Sequence, residues 1–319
     1  MNKVALVTGA AGFIGSHLCE KLIKENFTVI GIDNFFRGRP ENLPESGKNF
    51  YFYNLDLTEG QSLQDTSNII NHHRVTHVFH YAAINGTKYF YDIPNKVFSD
   101  NIRMTINVLN ACQQSLVKNF IYASSSEIYG DNPGIPTSES SKIILNIDED
   151  RDSYASSKAF GEFLVKNFCE SSEIDYLNLR IFNTYGTRMD NSEYGQVVPE
   201  FIRKALKNDV FTIIGSGNQT RSFCNVRDHV DMVFSAVGNL KCQSINIGND
   251  EEITINQLAK TVHNIVKRDF NPKYTEPRSY DTKRRCPSLD KIKNIVDIDY
   301  TSLEFGISEI IEEYRKYKY

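Results

Sequence analysis

The sequence predicts an α/β fold, a doubly wound parallel sheet with a smaller, discontinuous C-terminal domain. Three observations carry this. The chain opens on a buried strand, a glycine-rich turn and an amphipathic helix. Short apolar runs and helical periods then alternate as far as Gly186, which calls for a parallel sheet covered by helices. Beyond Gly186 the texture changes, and only one later helix–strand pair, Val226–Leu240 and Ser244–Ile247, suits a return to that sheet.

In the opening unit, Val4 to Val7 form a continuous apolar run, as a strand buried on both faces requires. Thr8 and Gly9 end it. Ile14, Leu18 and Leu22 then recur four apart on one helical face, with Ile23 beside them. Gly9, Gly12 and Gly15 lie between, where a tight turn resists side chains and a pyrophosphate approaches only bare backbone. The helix start offers free N–H groups and a positive dipole end. A second run, Thr28 to Ile32, ends in Asp33, eighteen residues after Gly15. An acid there hydrogen-bonds an adenosine ribose and disfavours a 2′-phosphate, so the expected cofactor is NAD rather than NADP. Packing glycines and a surface Asp would read the same without this context.

The stretch from Asn34 to Leu43 is a turn-rich loop placed at the adenosine end. Asn49–Leu55 is a third strand, ending in Asp56-Leu57; Asp56 suits either the adenine amino group or a helix cap. Residues 61–72 form a short helix and His77–Tyr81 a fourth strand, followed by Ala82-Ala83, small enough for backbone to lie against a ligand. Val97, Ile102, Ile106 and Leu109 mark a helix capped near Pro94 and Asn95. Asn119–Ala123 is a fifth strand and runs into Ser124-Ser125-Ser126-Glu127-Ile128-Tyr129-Gly130, at the strand end where ligands bind in such sheets. A long polar loop leads to a helix opened by Tyr154-Ala155-Ser156-Ser157-Lys158 and continued by Phe160, Phe163, Leu164 and Phe168. Ile174–Phe182 is the sixth strand. Helices over Val197–Leu206, Ile255–Val266 and Leu303–Tyr317, a short strand over Val210–Ile214 and the pair Arg284-Arg285 fill the rest. The expected division is 1–186 plus about 224–250 for the cofactor domain, and 187–223 plus 251–319 for the substrate domain.

Across 319 residues with 40% hydrophobic content there is enough material for a substantial core. A net charge of −4, with scattered Lys and Arg, suggests neither nucleic acid nor an anionic membrane surface. No run reaches spanning length, and the opening is read as a nucleotide site rather than a signal peptide. The six cysteines have no close pairs, which fits reduced thiols in a cytoplasmic protein. His72, His73, His77 and His80 fall on a helix end and a strand, so no metal site is expected there.

Tyr154 and Lys158 share a helical face. Tyr314 and Lys318 have the same interval and read as a solvated helix end; only Tyr154 follows the strand-end serines. A phenol is a weak base at its ordinary pKa, but a nearby ammonium and an oxidised nicotinamide both favour the phenolate. Tyr154 is therefore expected to take a proton from a substrate hydroxyl while hydride leaves the same carbon. Lys158 would hold the nicotinamide ribose and tune Tyr154, and Ser125 would bond the reacting oxygen.

These motifs resemble the extended short-chain dehydrogenase/reductases that modify nucleotide-activated sugars, a Rossmann-type family. The resemblance rests on TGAAGFIG (8–15), Asp33-Asn34, Asp56-Leu57, Ala82-Ala83, SSSEIYG (124–130), YASSK (154–158), RIFNTYGTR (180–188), GSGNQTRSF (215–223) and RRCP (284–287). It implies oxidation at sugar C4 with tightly held NAD. It implies cofactor contacts from Gly9, Gly12, Phe13, Ile14, Gly15, Asp33, Asn34, Asp56, Leu57, Ala82, Ala83, Asn101, Ser124, Tyr154 and Lys158. Substrate contacts would come from Ser125, Ser126 and Asn183, with Arg221 and Arg285 gripping the diphosphate. A homodimer through the helices near 97–115 and 154–170 is also implied.

The fate of the 4-keto sugar is read from smaller differences. Dehydratases of the family carry Thr-Asp-Glu where this chain has Ser125-Ser126-Glu127, so the pattern argues against 4,6-elimination. Glucuronate decarboxylases carry Thr-Ser-Glu, which is closer, but the stretch from Ala83 to Phe90 differs from theirs. The expectation is a 4-epimerase or 4-dehydrogenase, with Glu127 either an acid/base group or a sugar-hydroxyl contact. A UDP-glucuronate decarboxylase is the alternative. A non-catalytic NAD-responsive protein is the remote one, since Tyr154 and Lys158 are both retained.

Overall fold

The computed structural model describes residues 3–45, 47, 49–131, 134–192, 195–276 and 283–316. Strands are β1 (Val4–Thr8), β2 (Thr28–Asp33), β3 (Phe50–Asn54), β4 (His77–His80), β5 (Asn119–Ser125), β6 (Asp175–Ile181), β7 (Thr184–Tyr185), β8 (Thr212–Ile214), β9 (Thr220–Ser222), β10 (Cys224–Asn225), β11 (Gln243–Ile247), β12 (Glu252–Thr254), β13 (Lys273–Thr275) and β14 (Arg284–Arg285). Helices are α1 (Phe13–Lys24), α2 (Ser62–His73), α3 (Thr87–Asp92), α4 (Pro94–Ala111), α5 (Asp152–Ser171), α6 (Val197–Lys207), α7 (Val226–Asn239), α8 (Ile255–Val266), α9 (Asp290–Lys293) and α10 (Leu303–Lys316).

The main sheet has seven parallel strands in the order β11-β6-β5-β4-β1-β2-β3. The winding reverses between β1 and β4, which opens a crevice at their carboxyl ends. All of β1 is buried, as its unbroken apolar run requires. One core lies on the α1 and α7 face of this sheet and another on the α2, α4 and α5 face. A third core joins α6, α8 and α10 around Phe201, Ile202, Leu258 and Ile310, in the lobe that faces the crevice. There β9 lies between β12 and β14, and β8 pairs with β13.

Four local expectations change. α3 was not anticipated; its six residues are too few to show a period. Asn95 does not cap α4, because Pro94 already occupies the first turn and Ile93 is the cap, with no side-chain bond. Tyr314 is not a solvated helix end: it is buried among α6 and α8, while Lys318 and Tyr317 lie outside the described residues. Ile14 does not share the buried face of Leu18 and Leu22; it turns toward the crevice.

Candidate active site

A cavity of about 1020 Å³ lies over the crevice, between the main sheet and the α6/α8 lobe. One wall is backbone. Gly9 has φ +73°, and a Cβ there would stand 2.9 Å from the Ala82 backbone nitrogen. A Cβ on Gly15 would lie 2.0 Å from the Gly9 carbonyl oxygen. The turn and α1 are therefore closed onto each other at a distance only glycine permits. Gly12 caps α1 without any side-chain bond, and the first turn carries no acid, so its N–H groups face the cavity uncompensated.

Asp33 sits at the end of β2, where its carboxylate accepts from Ala11 N (3.0 Å) and Phe35 N (2.7 Å). Burial raises its pKa against these backbone bonds. Asp56 accepts from Thr58 N (2.8 Å) in a local turn rather than as a cap of α2, which starts at Ser62, and it accepts from Asn34 Nδ2 (2.9 Å) on the cavity wall. Ser124 Oγ, at the end of β5, is buried with no hydrogen-bond partner among the described residues. Its residue lines the cavity, as do Phe13, Leu57, Ala82 and Ala83.

The second group gathers where β5 ends and α5 begins. Tyr154 hydrogen-bonds Ser125, whose Oγ also accepts from Glu127 N (3.2 Å). Lys158 is one turn further along α5, buried, with Nζ 4.9 Å from the Tyr122 ring centroid and 5.7 Å from that of Tyr154. Burial pushes the Lys158 ammonium down to about 7. The expectation that Lys158 lowers the Tyr154 pKa is not met by the protein's own groups. Burial and then the Glu127 charge raise it, outweighing the Ser125 bond and Arg37.

Glu127 is ion-paired with Arg285 and lies 3.6 Å from the Arg151 guanidinium. Burial alone would raise its carboxyl, but Arg285, Arg151 and Arg221 together hold its pKa at about 2. A carboxylate held so low is charged near neutrality, which favours the sugar-hydroxyl contact over the acid/base role for Glu127. Ser126 is buried beside it, and Arg221 lines the cavity. Asn183 also lines it, its φ of +21° fixed partly by the bond from Nδ2 to Ser222 O (3.0 Å).

Two expected contacts do not reach the cavity wall. Asn101 is buried behind it, where Oδ1 accepts from Ile84 N (2.7 Å) and Nδ2 donates to Ile84 O (3.2 Å) and Ser157 Oγ (3.1 Å). Its amide is used up in tying the segment after β4 to α5. Arg285 is buried and turned onto Glu127 rather than lining the cavity. The histidines do not converge: His73 meets Tyr53 (2.8 Å), His77 meets Thr76 (2.9 Å), and His80 lies between Thr8 and Thr105.

A model of the NAD dependent epimerase/dehydratase family matches residues 5–248. The chain belongs to this family. It is 33% identical to UDP-glucuronic acid decarboxylase 6 of Arabidopsis thaliana over 98% of this chain and 89% of that protein. It is 32% identical to UDP-N-acetyl-alpha-D-glucosaminuronate decarboxylase of Bacillus cytotoxicus over 99% of each. Among solved structures it superposes on UDP-glucose 4-epimerase of Thermotoga maritima, with UDP-glucose, at TM-score 0.90 and 30% identity, over 99% of this chain and 100% of the other. UDP-glucuronic acid 4-epimerase of Bacillus cereus, in complex with UDP-glucuronic acid and NAD, gives 0.87 at 28%, with 99% and 100% covered.

The family's cofactor is NAD, and the cavity fits it. The glycine cradle and the unscreened start of α1 suit a pyrophosphate, the Asp33 carboxylate suits a ribose, and the Ser124 hydroxyl, without a partner among the described residues, suits a further polar group. Family membership does not explain several wall residues that sequence reading missed. Arg37 bridges to Asp190 (2.7 Å), joining the loop after β2 to the segment after β7. Tyr81 bonds His229 Nε2 (3.2 Å). Arg151 sits in a polar loop, and its only signal was standing three residues before Tyr154. Phe90 had no signal at all.

Proposed function

We propose that this protein is an NAD-dependent oxidoreductase acting at C4 of a nucleotide-activated sugar, through a 4-keto sugar, as a 4-epimerase or a 4-dehydrogenase. The observation that carries this is Tyr154 bonded to Ser125 at the end of β5, with Lys158 one turn away, against the glycine cradle.

NAD bound there supplies the hydride acceptor, and its oxidised ring adds positive charge that favours the Tyr154 phenolate. Ser125 orients the C4 hydroxyl and Tyr154 takes its proton as C4 loses hydride. Lys158, its ammonium pushed down to about 7 by burial, holds the nicotinamide ribose beside Tyr154. Gly9, Gly12, Phe13, Ile14 and Gly15 would hold the pyrophosphate, Asp33 and Asn34 the adenosine ribose, and Asp56 and Leu57 the adenine. Ala82, Ala83 and Ser124 would flank the nicotinamide side. Arg221 would pair with the nucleotide diphosphate, and Ser126 and Asn183 would contact the sugar. In an epimerase the keto sugar turns over and recovers hydride on the opposite face; in a dehydrogenase it leaves.

A UDP-glucuronate decarboxylase is the second reading. It is favoured by the names of the relatives and by Arg151, whose guanidinium lines the cavity beside Glu127 and can pair with a C6 carboxylate. Loss of carbon dioxide would follow because the C4 ketone is β to the C6 carboxylate, so the electron pair of the breaking C5–C6 bond passes into the C4 carbonyl as an enolate that is then protonated at C5.

The test is the product mass after incubation of protein and NAD with a panel of UDP-sugars. An unchanged mass at a new retention time identifies an epimerase, and loss of two hydrogens a dehydrogenase. Loss of carbon dioxide replaces the main reading with the second. No change with any sugar overturns both and leaves an NAD-responsive binding protein.

A cytoplasmic homodimer belongs to the same proposal. Phe160 (53% exposed), Phe163 (67%) and Ile106 lie open on α5 and α4, an apolar face suited to a second copy. Five of the six free cysteines are buried, consistent with a reducing compartment. No helix among the described residues is long and apolar enough to cross a membrane.

A further inference from the structure

We infer that Phe90 is a positioning residue for Tyr154: its ring, delivered by α3, is the platform on which the phenol lies while its hydroxyl meets Ser125. The inference rests on the reading of Tyr154 as the proton-transferring group. The two rings are stacked, with centroids 5.0 Å apart and planes only 12° from parallel. Phe90 is buried, in a small cluster with Ile84, Val97 and Tyr154 that is separate from the cores of the sheet.

The segment carrying Phe90 is pinned on both sides. Before it, Gly86 adopts φ +148°, a turn that admits α3 directly after β4. Asn101 ties Ile84 to Ser157 of α5, which fixes the start of this segment relative to the helix bearing Tyr154. On its other side, the Tyr89 ring packs 5.6 Å from Phe36, with the Arg37 guanidinium 5.7 Å from its centroid. α3 is thus held between the loop after β2 and α5. It places one aromatic face on the phenol, and Asn85, Thr87 and Lys88 on the cavity wall.

A face-to-face neighbour affects a phenol in two ways. It restricts the ring plane, and hence the direction in which the hydroxyl points. It also presents apolar, electron-rich surface to a group that must become an anion, which disfavours the phenolate. The other groups facing Tyr154 are Lys158 on α5, Tyr122 on β5, Glu127 after β5 and Arg37 after β2. The Phe90 platform is a neutral element among these charges.

The test is the pH profile of kcat for Phe90→Leu and Phe90→Met, which keep apolar bulk without the ring, and for Phe90→Tyr, which keeps the ring. For the first two, a three- to tenfold loss of kcat is expected at neutral pH, roughly the worth of one aromatic pair. Their acidic limb should move down by about half a pH unit, with KM little changed, and Phe90→Tyr should restore both. A loss of kcat with the limb unmoved, or a change in KM alone, would overturn the inference and leave Phe90 a packing residue. If the wild-type protein turned over no sugar, the reading of the active site would fail on its own. The inference would then be decided by ultraviolet difference titration of each protein against its Tyr154→Phe counterpart. Equal phenolate midpoints with and without the Phe90 ring would sink it.

Discussion

The two walls of the cavity are built on opposite plans. The cofactor wall is anchored on the stretch from β1 through β2, where glycines that cannot carry a Cβ and a helix start without a side-chain cap turn backbone toward the cavity. The opposite wall draws Glu127, Arg151 and Arg221 from three separate places, with Arg285 buried behind it and paired with Glu127, and is a wall of charge. The first tolerates no added atom, and the second no missing charge. Between them lie Tyr154 and Lys158, both buried and both driven by burial toward their neutral forms.

Substitutions at the centre and on each wall should fail in different ways. Tyr154→Phe should lower turnover by about a thousandfold while NAD retention and Tm stay unchanged; full turnover would remove Tyr154 from the chemistry. Gly15→Ala puts a Cβ 2.0 Å from the Gly9 carbonyl oxygen. Copurified NAD should fall by about a hundredfold as the turn is forced open, and normal retention would show that the cradle yields.

On the charged wall, Glu127→Gln should cost about 2–3 kcal/mol of stability at pH 7. The folded pKa of Glu127 lies below its ordinary 4.5, at about 2. Its contribution is therefore present above 4.5 and disappears as pH falls through 2. Urea midpoints of wild type and Glu127→Gln should differ at pH 7 and converge near pH 2; a gap independent of pH would mean that the ion pairs do not set it.

At Lys158 the charge destabilises the fold rather than stabilising it. Its folded pKa is below the ordinary 10.5, near 7, so the unfolded chain binds the extra proton between these values and stability rises with pH across them. Lys158→Met should abolish turnover yet raise Tm by several degrees at pH 7, an advantage that fades toward pH 10.5. A lower Tm at pH 7 would show that the ammonium is better paired than its surroundings suggest. The smallest effect is expected at the join of the two walls. Arg37→Ala removes the partly exposed bridge to Asp190 and should weaken NAD retention about threefold, read from the rate at which bound NAD exchanges.

The cofactor wall was legible residue by residue because its requirement is local. Gly9, Gly15 and Asp33 stand in fixed spacing along one strand–turn–helix–strand unit; the close approach at Gly15 and the bonds of Asp33 arise within it, and only the crowding of Gly9 by Ala82 comes from outside. The carboxyl end of β5 was legible for the same reason. The partners that Asn101 and Arg285 take within the protein were not legible. Asn101 spends its amide on Ile84 and Ser157, and Arg285 spends its charge on Glu127, 158 positions away in sequence. Tyr314 looked solvated because its covering residues, on α6 and α8, are far from it along the chain.

By itself the sequence determined the parallel sheet, the NAD cradle and the Tyr154–Lys158 pair, because apolar period, glycine spacing and one helical turn are properties of neighbouring residues. Only the tertiary structure decided that Glu127 is paired with Arg285, that Asn101 ties Ile84 to Ser157, and that Phe90 lies flat against Tyr154. Those outcomes depend on which groups compensate one another once buried, and burial brings together residues that no local pattern connects.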